Sequence, residues 1–331
     1  MLTLGVETSC DDTSLAILKD GNQILGMVSQ DQEEFHIKYG GVVPEIASRV
    51  HLEAINPLFD ELLVATGIDK GDIDLVAVTY GPGLLGSLLI GMTFAKTFSL
   101  VQDVPLIGVN HLVGHLMAPD LSGEEIEYPN VSIIISGGHT ELLLVSNPGE
   151  MKLLGASRDD AAGEVLDKLG RTLGLGFPAG ARIDKLAREG NPDAVELPRP
   201  MIESNDLDFS FSGLKTAGVL YLKSKSDSDF SHADFVASLE KAVVDVIMAK
   251  LKKAVAKTGV KSISVSGGVS ANSLLRKCLW DWCSREKLKL AIPPIQYCMD
   301  NGAMIALAGY KGFMLGHRDD MTLDCVAVID W

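Results

Sequence analysis

The stretch "LTLGVETSCDDTSLAILKDGNQILGMVS" opens the chain, and "VSIIISGGHTELLLVSNPGEMKLLGAS", beginning at Val131, repeats its rhythm. Each reads as an apolar run, a small-residue turn, a second run, a Gly-containing hairpin and a third run, the pattern of a three-strand meander. Later elements recur in the same order. "DLVAVTYGPGLLGSLLIGMTFAKTF" and "KSISVSGGVSANSLLRKCLWDW" are each a strand, a Gly-rich loop and a helix, followed by the strands "VPLIGV" and "LKLAIPP" and a further helix. One such succession arises by chance in α/β proteins, but this many elements in order point to an internal duplication. The offset between the halves grows from about 128 at the first strands to about 187 at the Gly loops, so the second half carries an insertion, placed at about 157–235. The expected fold is α/β, with two domains, 1–128 and 129–331, each a mixed sheet with helices on its faces, and a central cleft for a ligand.

The 331 residues suffice for two domains with their own cores. No stretch approaches about 18 consecutive uncharged apolar residues, and the start lacks the basic and apolar segments of a secretory signal. The expectation is a cytoplasmic protein with no membrane span. Five cysteines, scattered and without a CxxC pair, argue against a disulfide framework or a Cys-rich zinc knuckle. Net charge is −15, from 29 basic and 44 acidic residues, the reverse of the basic surplus of a chain that grips nucleic acid alone. A polyanionic partner would need a local basic patch, such as "LKKAVAKTGVK" and "RKCLWDWCSREKLK", or a helper protein.

"ETSCDDTS", "YGPGLLGS", "ISGGHTE" and "SGGVSAN" all follow apolar strands. Gly-rich turns let backbone N–H groups approach a phosphate, and a following helix N-terminus favours the anion. Singly each is an ordinary structural turn; four at related positions of a repeat point to a nucleotide. None matches a P-loop or a dinucleotide fingerprint. "NHLVGHL" places His111 and His115 four apart, with Asn110 as N-cap, so both imidazoles share one helix face. Spacing alone leaves a metal pair and two solvent-facing histidines open. Asp300 begins the repeat-equivalent helix and reads either as a third ligand or as that helix's own N-cap. Two histidines and a carboxylate make a facial set with open positions. Leu112 stands where a zinc peptidase carries glutamate, which weakens a peptidase reading.

The motifs "VETSCDDTS", "GGVVPEIASRVH", "GPGLLGSLLIG", "NHLVGHL", "SGGHTEL", "DDAAGEVLDKLGRTLGLGFPAG", "FSFSGLKTA", "SGGVSANSLLR" and "MDNGAMIA" follow in order to about residue 313. Together they resemble the bacterial TsaD family, the tRNA adenosine threonylcarbamoyltransferases, formerly described as O-sialoglycoprotein endopeptidases. The resemblance implies the duplicated actin-like ATPase (ASKHA) fold. It implies transfer of a threonylcarbamoyl group from its adenylate to N6 of adenosine 37 in tRNAs reading codons that begin with A, with release of AMP. It further implies one divalent metal on His111, His115 and Asp300, iron(II) before zinc(II). The donor nucleotide, threonylcarbamoyl-AMP or ATP, is then expected along Ile134, Ile135, Ser136, Gly137 and Gly138, with Asp167, Gly180, Asp184 and Asn272 as further contacts. On the residues alone, Asp167 reads equally as a surface carboxylate paired with Lys168 or Arg171. Asp11 occupies the place of a phosphate- or metal-water-binding acid in this fold, or is a turn-forming residue. Cys10 reads as structural, His139 as a weaker neighbour of the carbamoyl group, and Glu7 and Lys215 as optional lining. Implied partners are tRNA, a TsaB-type paralogue, a TsaE-type small ATPase and, functionally, a donor-forming TsaC-type enzyme, with no membrane. An actin-like ATPase or kinase would share the loops without needing the histidine pair. A non-catalytic paralogue would lack the triad. The tail from Met314 carries no readable motif.

Overall fold

A computed structural model describes residues 1–123, 126–225 and 230–329. Two compact units divide the chain. One holds the residues up to 123 together with those from Met299 on, and the other holds 126–298.

The first unit begins β1 (Leu2–Glu7), β2 (Thr13–Lys19), β3 (Gln23–Gln30), α1 (Glu33–His36), α2 (Pro44–Thr66), β4 (Leu75–Gly81), α3 (Leu85–Gln102), β5 (Leu106–Asn110) and α4 (His111–Met117). The second holds β6 (Asn130–Ile135), β7 (Thr140–Asn147), β8 (Glu150–Ala156), α5 (Ala162–Thr172), α6 (Gly180–Ala187), α7 (Ser212–Ser224), α8 (His232–Thr258), β9 (Ser262–Ser266), α9 (Ser273–Glu286) and β10 (Lys289–Ala291). A last helix, α10 (Gly302–Met314), belongs to the first unit.

The sheet orders are β3-β2-β1-β4-β5 and β10-β9-β6-β7-β8, the same topology listed from opposite edges. In both, the meander strands pair antiparallel, while β1–β4–β5 and β6–β9–β10 pair parallel. The duplication read from the sequence is therefore a duplication of fold.

The C-terminal boundary differs from the expected 129–331. Residues from Met299 pack with the first sheet, on a face built for them. Along β1 the pleat alternates sides: Leu4 and Val6 join Leu58 and Leu62 of α2 and Met92 and Phe98 of α3 in one core. Gly5 points to the opposite face, and α10 lies there. A Cβ on Gly5 would fall 2.0 Å from the Gly302 carbonyl oxygen, and one on Gly309 would fall 2.3 Å from Ala77 Cβ. Backbone meets backbone at Gly5–Gly302, an approach that hydropathy does not reveal. Burial on both faces also explains why β1, β2 and β4 are almost wholly buried.

Among the described residues, α3 is long and apolar enough to cross a membrane by length and composition, although Lys96 interrupts its uncharged run. Its Leu88, Met92, Ala95 and Phe98 are buried against β4 and α2. The second core gathers Phe209, Phe211 and Phe235 with Leu239, Val243, Ile263 and Val265, between the inserted segment and α8.

Candidate functional site

In the first unit the carboxyl ends of β1, β4 and β5 bring Glu7, Thr79 and Asn110 together. Asn110 extends to cap α4, its Oδ1 accepting from the amides of Leu112 and Val113. That fixes His111 and His115 on the first turns, with ring centroids 4.7 Å apart and ring planes at 82°. Helices α4 and α10 are repeat equivalents and pack on each other, so that a Cβ on Gly114 would fall 2.8 Å from Ile305. Asp300 stands two residues ahead of α10 and is not its cap. Asn301 caps it, accepting from the Met304 amide at 2.9 Å, which leaves the Asp300 carboxylate to face the histidines. His115 Nε2 lies 3.0 Å and His111 Nε2 3.5 Å from the same Asp300 oxygen. The three donor groups lie within 4.8 Å of one another, and both histidines are buried.

Glu7, which the sequence offered only as optional cleft lining, stands directly behind His111. Fully buried, it accepts from His111 Nδ1 at 3.0 Å, Thr79 Oγ1 at 2.7 Å and the Ser9 amide at 2.6 Å. Ser9 Oγ lies 3.1 Å from His111 Nδ1. With its Nδ1 proton held by Glu7, His111 offers Nε2 as the ligating nitrogen once the second ring proton is displaced, the arrangement of a carboxylate–histidine–metal ligand. His115 Nδ1 is buried with no hydrogen-bond partner among the described residues, which pin the tautomer of the first histidine and not of the second. Two imidazole nitrogens and one carboxylate fit one divalent transition metal with open positions. The only sequence signal for Glu7 was a lone carboxylate closing an apolar strand.

Burial opposes charge on His111, but Asp300 and Glu7 outweigh it and push the imidazole up to about 9. A metal must displace that proton. Affinity for a divalent cation is therefore expected to rise roughly tenfold per pH unit up to about 9 and then level off, with one proton released per metal below that pH. Calorimetry in buffers of different ionisation heat measures that proton.

Asp11 is partly buried beside this centre. Burial raises its carboxyl, the Cys10 thiol lowers it and Asp300 raises it again, and burial with the charges of Asp300 and Asp11 pushes Asp12 up to about 8. Asp11 is not one of the three converging ligands. Burial and the carboxylates of Asp11 and Asp300 hold the Cys10 thiol well above its ordinary range, so it stays protonated and unreactive. Lys215 is bound to Asp160 and Glu164 within the second unit.

The second unit gathers its candidate residues at the carboxyl ends of β6 and β9. Ile134 and Ile135 are fully buried and paired in the sheet, so they anchor the turn and offer no side chain to a ligand. Ser136 Oγ accepts from the His139 amide at 3.1 Å, holding Gly137 and Gly138 in an exposed turn. A Cβ on Gly137, Gly138 or Gly180 would meet nothing within 4 Å. No packing requires glycine there, so bare backbone at these positions suits the close approach of a ligand. Asp167 Oδ1 accepts from the Ala179 amide at 2.7 Å and so holds the start of α6 beside Gly180. From α6, Asp184 accepts from the Ser273 amide at 2.6 Å and pairs with Arg188. Asn272 caps α9 and donates to Glu240 at 2.6 Å. Glu240, unread in the sequence, is buried, and burial together with the charge of Asp184 pushes it up to about 7.

The sequence model of the TsaD family, described as "tRNA N6-adenosine threonylcarbamoyltransferase", matches residues 23–307. Proteins of that same description from Thermosipho africanus (strain TCF52B) and Clostridioides difficile (strain 630) are 48% and 43% identical, the first covering 98% of both chains and the second 98% of this chain and 97% of its own. Among solved structures, the Acidaminococcus fermentans (R)-2-hydroxyglutaryl-CoA dehydratase component A aligns with a TM-score of 0.57 at 17% identity, over 94% of this chain and 98% of that one. Full-length HypF in its phosphate- and nucleotide-bound form aligns with a TM-score of 0.60 at 14% identity, over 96% of this chain and 47% of that one. These two share the fold, the actin-like α/β architecture that the family resemblance implied. With a family match over most of its length and near-full-length relatives above 40% identity, the chain belongs to the TsaD family of tRNA N6-adenosine threonylcarbamoyltransferases.

Proposed function

We propose that the chain takes the threonylcarbamoyl group from threonylcarbamoyl-adenylate and transfers it to N6 of adenosine 37, in tRNAs reading codons that begin with A, releasing AMP. The observation that carries this reading is the convergence of both imidazole Nε2 atoms on Asp300 with Glu7 behind His111. The donor is a mixed anhydride, so its phosphate half leaves readily. An N–C bond forms to the amine, the anhydride C–O bond breaks, its electron pair leaves with AMP, and the amine gives up one proton. Holding the carbonyl beside a weakly nucleophilic exocyclic amine is then the main task. His111, His115 and Asp300 would hold one divalent cation, iron(II) in preference to zinc(II), which supplies Lewis acidity to carbonyl and phosphate oxygens when bound. Glu7 keeps His111 in the ligating tautomer, and Asp11 orients the donor.

In the second unit, the Ser136–Gly138 backbone, Asp167, Gly180, Asp184 and Asn272 receive the adenylate. Asp167→Ala is expected to weaken binding of a non-hydrolysable AMP analogue by about 1–3 kcal/mol, roughly 5- to 150-fold, with metal content unchanged. Calorimetry on the metal-loaded chain measures both.

The net charge of −15 disfavours tRNA docking on the lone chain, which supports action with partners in the cytoplasm: a TsaB-type paralogue, a TsaE-type ATPase and a TsaC-type supplier of donor. On α2, Ile55, Leu58 and Leu62 are buried in the core, while Leu52 and Val64 stay exposed. The groove between α2 and α3, about 410 Å³ and lined by Leu52, Ile90 and Val101, suits the paralogue.

The test supplies synthetic adenylate, unmodified tRNA and the partner proteins, and identifies the nucleoside by mass spectrometry after digestion. Unmodified adenosine 37 with a filled metal site would sink the reading. A kinase of the same fold would instead keep its activity in Mg²⁺ after transition-metal chelation.

A further inference from the structure

The tail that carries no readable motif runs along the first sheet to the loop beside the metal centre. Asp319 starts it. Its amide donates to the Leu106 carbonyl at 3.3 Å, and its carboxylate accepts from the Gly108 amide at 2.9 Å. Both partners lie on β5, the strand that delivers Asn110 and His111. Leu323 then covers Gly108 and Tyr80, so closely that a Cβ on Gly108 would fall 2.8 Å from it. Next, the Val326 amide donates to the Tyr80 carbonyl at 2.9 Å, and the Ala327 carbonyl accepts from the Gly83 amide at 3.2 Å. Gly81 lies between these two bonds at φ +157°, where a Cβ would fall 2.1 Å from the Val326 carbonyl oxygen.

The clamped loop in turn rests on Ser9. A Cβ on Gly83 would fall 2.5 Å from the Ser9 carbonyl oxygen, which accepts from the Leu84 amide at 2.7 Å. Ser9 donates its amide to Glu7 and sets its hydroxyl against His111 Nδ1. Two routes of direct contact therefore lead from the tail to His111, one through β5 and one through the 81–84 loop and Ser9.

We propose that the segment from Asp319 to Ile329 is a positioning element for the metal centre, holding Ser9, Glu7 and His111 in the arrangement that leaves His111 Nε2 free to ligate. The segment acts through Ser9 and β5. This rests on the metal-centre reading above. Much of it is solvent-exposed, with Val326 at 42% and Val328 at 76%, so its backbone bonds rather than core burial carry the effect.

The test uses the full chain with Co(II) as probe. Val326→Pro removes the amide that reaches Tyr80 and leaves the side-chain environment largely unchanged. Val326→Ala keeps that amide and is the control, and Asp319→Ala cuts the second route. Co(II) affinity by chelator competition, the visible ligand-field spectrum, and the melting temperature of the metal-free chain are measured for each. Val326→Pro and Asp319→Ala are each expected to lose about 10- to 100-fold in Co(II) affinity, the range typical of outer-shell partners, with an altered spectrum at temperatures where the metal-free chains are folded. Val326→Ala should match the parent. A purely structural tail would lower the melting temperature and leave affinity and spectrum per folded molecule unchanged, and that result would overturn the proposal. A parent chain that takes up no Co(II) would overturn the metal reading and the proposal with it. Parent binding with unaltered variants would overturn the proposal alone.

Discussion

Replacing His115 with alanine is expected to abolish transfer while the chain still folds. His115 is one of three converging donors, and its Nε2 lies 3.0 Å from Asp300. Its loss leaves two ligands, too few to retain a divalent cation against solvent. Losing the cation's stabilisation of developing charge is worth several kcal/mol, so transfer should fall by at least about a thousandfold. The vacated volume adds a cavity cost to stability, but far less than the loss of activity requires. His111→Ala and Asp300→Ala should behave alike, whereas Glu7→Gln should keep the fold and reduce metal affinity by about 10- to 100-fold. Metal content by mass spectrometry and single-turnover transfer on the same preparations separate ligand loss from unfolding. Full transfer by metal-free His115→Ala protein would remove the metal from the reaction.

Gly5→Val is expected to be the most damaging single substitution away from the ligands. A Cβ there overlaps the Gly302 carbonyl and comes within 2.6 Å of the Ala306 amide. Both are helix backbone, which cannot turn aside as a flexible side chain can. Either α10 lifts off the sheet or β1 distorts. Overpacking of this kind costs about 3 kcal/mol or more, and any lift of α10 carries Asp300 away from the histidines. Denaturant unfolding should report lost stability, and metal titration of the folded fraction should report weakened binding. Gly180→Ala is the contrast. Its added methyl meets nothing within 4 Å, so stability should hardly change, while binding of the AMP analogue should fall if that bare backbone faces the donor. Equal effects of the two substitutions on unfolding would contradict the packing argument.

Much of this was legible along the chain. The meanders, the Gly turns and the helices of both halves follow from period-2 and period-3.6 patterns, which are local and survive in a one-dimensional reading. The four-residue spacing of His111 and His115 and the Asn110 cap are local in the same sense, whereas the burial of both rings, against the solvent-facing alternative, comes only with the fold. Glu7 could be read only as optional lining because its role depends on Thr79 and His111, which reach it through the parallel pairing of β1, β4 and β5. Glu240 was hidden because one carboxylate on a long amphipathic helix reads as a solvent-facing residue until Asn272 and Asp184 are folded onto it. Asp300 was expected in the second domain but packs with the first unit, and the cap role that the sequence also offered it belongs to Asn301. The tail could not be read at all: it has no hydrophobic period, and its place is set by backbone groups on Leu106, Tyr80 and Gly83 that any sequence possesses. Repetition, helix faces and turns are thus written in neighbouring residues. Which strand end meets which helix start depends on contacts more than 70 residues apart, such as Glu7 with Thr79 and Gly302 with Ser14, and these are fixed by close packing of small residues and by hydrogen bonds whose partners exist only once the chain has folded.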